Sequence, residues 1–283
     1  MKLTDLRYLL KKAQRGGYAV PAFCIWDSAT ANSAVKVAYE MKSPVILLNG
    51  PAEYLYLPPS SVYVSVMEAL GRFPAKAALH LDHGKSLNIV KECIDAGFNG
   101  VMLDFSRKPF IENVKAMKKT VEMARRLSVA VEGEIGAVGR ADGITLEGSN
   151  VSSLTDPDEA AEFVKQTGID LLAISIGNAH GIYTVLPKLD FERIKKIREI
   201  VNIPLVLHGG SGTKAKDIKR AISLGICKIN VASELTRAVR APLFKKWKSG
   251  KMDWLTDELF IVMKEYEEVM KRWIIVCGAK GKS

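Results

Sequence analysis

Cysteine is scarce in this 283-residue chain. Its four residues, Cys24, Cys93, Cys227 and Cys277, lie far apart with no CxxC pair. Neither a disulfide framework nor a cysteine zinc site is supported, and reduced thiols in a cytosol are the expectation. No stretch approaches the ~18 consecutive apolar residues that would span a membrane. The first dozen residues carry Asp5 and lack the apolar centre of a secretion signal. A cytoplasmic protein with no membrane partner is expected. Pro/Ser-rich linkers and low-complexity segments are missing, so residues 1–283 read as one domain. Also missing is the Gly-rich fingerprint after the first strand that a doubly wound dinucleotide-binding sheet would carry.

What is present is an ordinary globular composition, 48% hydrophobic and 25% charged, enough to bury a large core. The net charge of +10 favours anionic partners. The basic residues are spread along helices among Glu and Asp rather than gathered in a stripe, so nucleic acid is not expected and phosphorylated small molecules fit the excess. Short apolar runs at 18–24, 44–49, 75–82, 100–104, 128–134, 170–177, 203–208 and 225–231 read as eight strands. Helical patterns at 28–41, 60–71, 85–96, 110–127, 157–167, 190–200, 214–224 and 232–248 lie between and after them. Pro109 and Pro157 suit first helical turns, with Asp156 or Thr155 as a cap. Eightfold alternation at this length predicts an α/β fold, a (β/α)8 TIM barrel, with an open doubly wound sheet as the alternative.

Two segments fall outside that rhythm. Residues 136–154 form a glycine-rich loop much longer than a usual connection, read as a lid or a surface insertion. A C-terminal helical extension at about 250–275 carries Leu255, Leu259, Met263, Tyr266, Met270 and Trp273 at helical spacing, a stripe expected to pack on the barrel or on a second subunit.

In a TIM barrel the chemistry sits at the C-terminal ends of the strands. Here those ends carry Asp82-His83, Asp104, Glu132 and Glu134, His180, His208 and Asn230. The chain has only four histidines, and three of them fall on this rim. Three converging imidazoles leave a fourth position open, as a catalytic zinc requires. His80 points into the barrel by strand parity and reads as structural. The glycines of His208-Gly-Gly-Ser-Gly212, with Asn230-Val-Ala-Ser233, follow the seventh and eighth strands, where this fold binds phosphate. Lys228 shares the inward face with Asn230 and is expected to pair with Glu132. A Schiff base on Lys228 is the metal-free alternative.

These residues form a recognisable set: His80-Leu-Asp82-His83-Gly84, Val131-Glu-Gly-Glu134-Ile-Gly136, Thr155-Asp156-Pro157, Ile176-Gly-Asn-Ala-His180-Gly-Ile-Tyr183, Pro204-Leu-Val-Leu-His208-Gly-Gly-Ser211-Gly212 and Lys228-Ile-Asn230. Together they resemble the class II, zinc-dependent ketose-bisphosphate aldolases, in order from about residue 1 to 240. The resemblance implies that His83, His180 and His208 hold Zn2+, with Asp104 and Glu134 as an alternative metal position or as support. It implies glycerone phosphate bound through Gly181, Gly209, Gly210, Ser211, Asn230 and Ser233, with a monovalent cation, Na+ or K+, near its phosphate. Asp82 and Asn230 would serve the reacting atoms, and a homodimer or homotetramer is implied.

Some positions depart from the family. The loop base is usually Glu, whereas Asp142 stands here. Cys24 replaces an Asn, Asn49 a Ser and Phe105 a Gly, at positions assigned to the part of the substrate remote from the first phosphate. Ala232 leans toward the tagatose-type branch. A catalytically silent sugar-phosphate-binding protein is the remaining reading.

Overall fold

The computed structural model describes residues 2–140, 153–181, 187–250 and 254–283. Eight parallel strands close into a barrel: β1 (Val20–Cys24), β2 (Val45–Asn49), β3 (Ala77–Gly84), β4 (Gly100–Leu103), β5 (Ala130–Ile135), β7 (Leu171–Ile174), β9 (Leu205–Leu207) and β10 (Ile226–Val231). β1 pairs with β10 to complete the ring. A separate parallel pair joins β6 (Gly139–Arg140) to β8 (Ala179–His180). The barrel strands are short, apolar and almost entirely buried, as a parallel sheet covered on both faces requires.

The helices between and after the strands are α2 (Ser28–Glu40), α3 (Pro59–Arg72), α4 (Leu87–Ala96), α5 (Phe110–Arg125), α6 (Pro157–Thr167), α7 (Phe191–Ile200), α8 (Ala215–Ser223) and α9 (Ser233–Lys248). All eight expected strands are found, and the fold is the expected (β/α)8 barrel. Pro157 opens α6 under the Asp156 cap, whose carboxylate accepts from the Asp158 and Glu159 amides. Pro109 and Lys214 stand one residue before α5 and α8 rather than inside them. Among the described residues, no helix is long and apolar enough to cross a membrane.

One helix was not anticipated. α1 (Leu6–Gly16) precedes the barrel, and Asp5 caps it by accepting from the Arg7 and Tyr8 amides. Its Leu6, Leu9, Leu10 and Ala13 form a buried stripe at helical spacing. This face closes the N-terminal end of the barrel. The Thr4 amide donates to the Ala77 carbonyl at 2.7 Å, and Asn99 Nδ2 donates to the Thr4 carbonyl at 2.7 Å. Gly100 admits this floor, because a Cβ there would fall 2.6 Å from Leu6 Cδ2 and 2.5 Å from His80 Nδ1.

The C-terminal extension is α10 (Leu255–Val276). Its apolar stripe divides: Tyr266, Met270 and Trp273 are buried, while Leu255 and Leu259 remain exposed. The expected packing on the barrel holds only for the second half. Of the 136–154 loop, the first residues form β6 beside His180, and 141–152, including Asp142, Gly143 and Gly148, lie outside the described residues, as does Tyr183.

Strand register decides what faces the barrel axis. Lys228 stands beside Val20 and Val206, Asn230 beside Ala22, Leu48 beside His80, and Glu132 beside Met102 and Leu171. Leu6→Ala is expected to cost about 2–5 kcal/mol, the usual range for emptying a buried leucine site. Urea denaturation measures it; a loss below about 1 kcal/mol would show that α1 is not part of the cooperative unit.

Candidate active site

The site is built on a carboxylate at the barrel centre. Glu132 is fully buried and surrounded by nitrogen. Lys228 Nζ donates to its Oε2 at 2.6 Å, His208 Nε2 lies 2.6 Å from its Oε1, and His80 Nε2 lies 3.3 Å from Oε2. Burial alone would raise this carboxyl, but Lys228, His208 and His80 hold it well below the ordinary range. Burial and the Lys228 charge both lower His80, which keeps it neutral near pH 7. His80 is thus structural, as its parity predicts. The Lys228–Glu132 pair is formed, and it engages the amine that a Schiff base would need.

His208 also meets the two remaining imidazoles, His83 and His180, at the rim. The ring centroids of His83 and His180 are 4.9 Å apart, those of His83 and His208 4.8 Å, and those of His180 and His208 5.8 Å. One nitrogen from each lies within 4.8 Å of the others. Different devices aim each ring. The β3–β4 register shifts between Leu81 and Gly84, and His83 takes a left-handed φ of 49°, a conformation costly outside glycine and concentrated at functional sites. Asp104 Oδ2 lies 2.8 Å from His83 Nδ1, while the Ser106 amide and hydroxyl donate to Asp104 Oδ1. His180 is carried by β8, whose partner is the start of the long loop. His208 is held from below by Glu132, and its carbonyl accepts from Asn178 Nδ2 at 3.0 Å.

The leftover atoms test whether an ion fits. His83 Nε2, His208 Nδ1 and Glu134 Oε2 are buried without a hydrogen-bond partner. His208 Nδ1 lies only 3.2 Å from Glu134 Oε2. Burial would lower His208, yet Glu132 and Glu134 raise it to about 10. Burial also opposes the charged form of His83, but Asp82 and Asp104 raise it. A pocket that favours a proton on its imidazoles favours a metal cation for the same electrostatic reason. The residues therefore fit a divalent ion, and the imidazole-rich donor set suits zinc. Asp104 stands behind His83 and Glu134 beside His208, each against one ring of the triad.

Beside the rings, Asn230 Nδ2 donates to Asp82 Oδ1 at 3.0 Å. Burial would raise Asp82, but His83, His208 and Lys228 lower it and keep it ionised. At the expected phosphate loop, Gly209 has φ 63°, and a Cβ there would fall 2.0 Å from the Ala179 carbonyl oxygen, so only glycine fits. The Gly210 amide donates to the Asn230 carbonyl at 3.0 Å, and Ser233 opens α9. Gly181 follows His180 directly at the end of β8.

At the remote end the expectations divide. Cys24 shares the register row of Leu48 and His80 on the inner face, and burial, Glu53 and Asp82 push its thiol up. Asn49 shares the row of Leu81, on the opposite face, and spends its Nδ2 on the Ile25 carbonyl at 2.8 Å. It does not face the site, because one residue along a strand reverses the side chain. Phe105 is partly buried against the core. Asn178 and Glu234 were not singled out in the sequence. Asn178 lies within the quoted motif Ile176-Gly-Asn-Ala-His180 and Glu234 directly follows Asn230-Val-Ala-Ser233, and that placement was the only available signal.

The sequence matches the family profile described as fructose-bisphosphate aldolase class-II over residues 4–282. The chain belongs to the class II fructose-bisphosphate aldolase family. It is a lyase of a metal-dependent class whose substrates are phosphorylated sugars. The YdjI aldolase of Escherichia coli K12 is 35% identical, with a TM-score of 0.88 over 99% of both chains. A putative fructose-1,6-bisphosphate aldolase of Coccidioides immitis is 28% identical, with a TM-score of 0.86 over 99% of this chain and 98% of that one. The fructose-bisphosphate aldolase of Campylobacter jejuni, 22% identical with a TM-score of 0.77 over 98% and 95%, shares the fold. In this aldolase, Lys228→Met would leave Glu132 buried without its ammonium partner. A loss of about 3–5 kcal/mol is expected, read by chemical denaturation of the ion-free protein. A change below about 1 kcal/mol would show that the pair does not sustain the centre.

Proposed function

We propose that this aldolase is zinc-dependent and reversibly cleaves a phosphorylated ketose, such as fructose or tagatose 1,6-bisphosphate, into glycerone phosphate and an aldehyde such as glyceraldehyde 3-phosphate. The observation that carries the reading is the meeting of His83, His180 and His208, with His83 Nε2 buried and without a hydrogen-bond partner and His208 Nδ1 facing only the Glu134 carboxylate at 3.2 Å. When bound by these three residues, zinc supplies a Lewis acid that polarises the ketone.

The chain's own residues supply the rest. Asn230 Nδ2 keeps one hydrogen on Asp82 and has a second to offer the oxygen on which negative charge develops. Asp82 Oδ2, held in its charged form, takes the proton of the hydroxyl that becomes the aldehyde oxygen as the carbon–carbon bond breaks, and returns it in condensation. Gly181, Gly209, Gly210, Ser211 and Ser233 seat the phosphate of the glycerone half, with Na+ or K+ beside it. Asp142, on the long loop, returns the carbon-bound proton after cleavage. The buried Lys228–Glu132 pair at 2.6 Å favours this route over a Schiff base on Lys228.

A chelator is expected to abolish cleavage across a panel of ketose bisphosphates and zinc to restore it, whereas borohydride with substrate should trap no adduct. His180→Ala should lose metal and lower turnover by about 10²–10³-fold or more, on the scale of losing one principal electrostatic contributor. Turnover that survives complete metal removal would end the zinc reading. Failure of glycerone phosphate to exchange its methylene proton with solvent would point to a silent binding protein.

A further inference from the structure

Glu234 is the second residue of α9, directly after Ser233, and it turns back to the glycine loop that follows β9. Its Oε1 accepts from the Gly212 amide at 2.7 Å, and its own amide donates to Ser211 Oγ at 3.2 Å. Its other oxygen, Oε2, accepts from Trp273 Nε1 at 3.0 Å and pairs with the Arg272 guanidinium. Arg272 and Trp273 belong to the end of α10, 38 and 39 residues away. One carboxylate thus joins the loop, the start of α9 and the C-terminal helix. The indole also lies against the loop, since a Cβ on Gly210 would come 3.4 Å from Trp273 Cη2.

A carboxylate next to an anion-binding loop repels the anion unless its charge is met and its presence does something else. Here Arg272 meets the charge, and three donors on two oxygens fix the carboxylate's orientation. The loop needs fixing: Gly209 and Gly212 both have positive φ, at 63° and 80°, and glycine restricts neither to one conformation. Ser211 Oγ, by accepting from Glu234, keeps its own proton available to donate.

We infer that Glu234 is a positioning residue that clamps the 209–212 loop to α10, so that the C-terminal helix takes part in phosphate binding without touching the phosphate. The inference rests on the reading above in which that loop seats the phosphate of glycerone phosphate. An unclamped loop must be ordered when the ligand arrives, which weakens binding and leaves the chemical step alone.

The test uses the zinc-loaded full chain and inorganic phosphate as probe, by calorimetry and as a competitive inhibitor of cleavage. Glu234→Ala is expected to weaken phosphate binding and raise KM by about tenfold, the scale of one charge-assisted hydrogen bond. Its kcat should stay within about threefold and its zinc content unchanged. Arg272→Ala, at a side chain 58% exposed and therefore safe for folding, should move phosphate affinity and KM the same way by about threefold. Wild-type phosphate binding with unaltered affinity in both variants overturns the clamp alone. Loss of kcat, zinc and melting temperature together marks Glu234 as merely structural and overturns it equally. No phosphate binding by the wild type overturns the seating of phosphate at this loop, and the clamp with it.

Discussion

Everything at the centre of this barrel depends on keeping one carboxylate ionised where water does not reach. Glu132 would be expensive to bury alone, because a lone charge in a low-dielectric interior shifts its pKa until it neutralises. Lys228 offsets that cost, His208 Nε2 bonds the other oxygen, and His80 Nε2 stands 3.3 Å from Oε2. Once ionised, Glu132 accepts from His208 Nε2 and so directs Nδ1 upward to the other rings. Asp104 does the reverse for His83, taking Nδ1 and leaving Nε2. Carboxylates that orient ligating imidazoles in this way are a general feature of metal sites, where they fix the tautomer and raise basicity.

Two levels of the structure meet in this arrangement. The barrel supplies rigid rows in which even-numbered residues of β1, β3, β5 and β10 share the interior, so Lys228, Glu132 and His80 come together by register alone. The rim then departs from that regularity where it must. His83 has the wrong parity to point inward, and the shift between Leu81 and Gly84 with its left-handed backbone corrects this. The strained residue sits on rigid flanks, which is where strain can be sustained.

Much of this was legible in the sequence. Eight buried apolar runs at regular spacing announced the barrel, and strand ends rich in His, Asp and Glu announced the rim. Parity correctly placed Lys228, Glu132 and His80, because a two-residue period needs no tertiary knowledge. α1 had a clear pattern in Leu6, Leu9, Leu10 and Ala13, but eight βα units already accounted for the fold. Asn49 was misplaced because motif position says nothing of which face a strand residue presents. The link from Glu234 to Arg272 and Trp273 was illegible, since no local pattern marks a contact made across 38 residues of chain.

α10 touches the rim at two places that lie on different strands. Tyr266 Oη donates to the Cys24 carbonyl at the end of β1, with its ring edge-on to Trp26, while Trp273 reaches Glu234 and the loop beyond β9. Neither contact passes through Glu132 or the three rings. The arrangement separates an ion-holding interior from an adjustable periphery: changes in one C-terminal helix reach two sectors of the mouth on either side of β10 while the interior is left undisturbed. Diversification of what the mouth accepts then falls to exposed members of the helix such as Arg272, because Tyr266 and Trp273 also belong to the buried core.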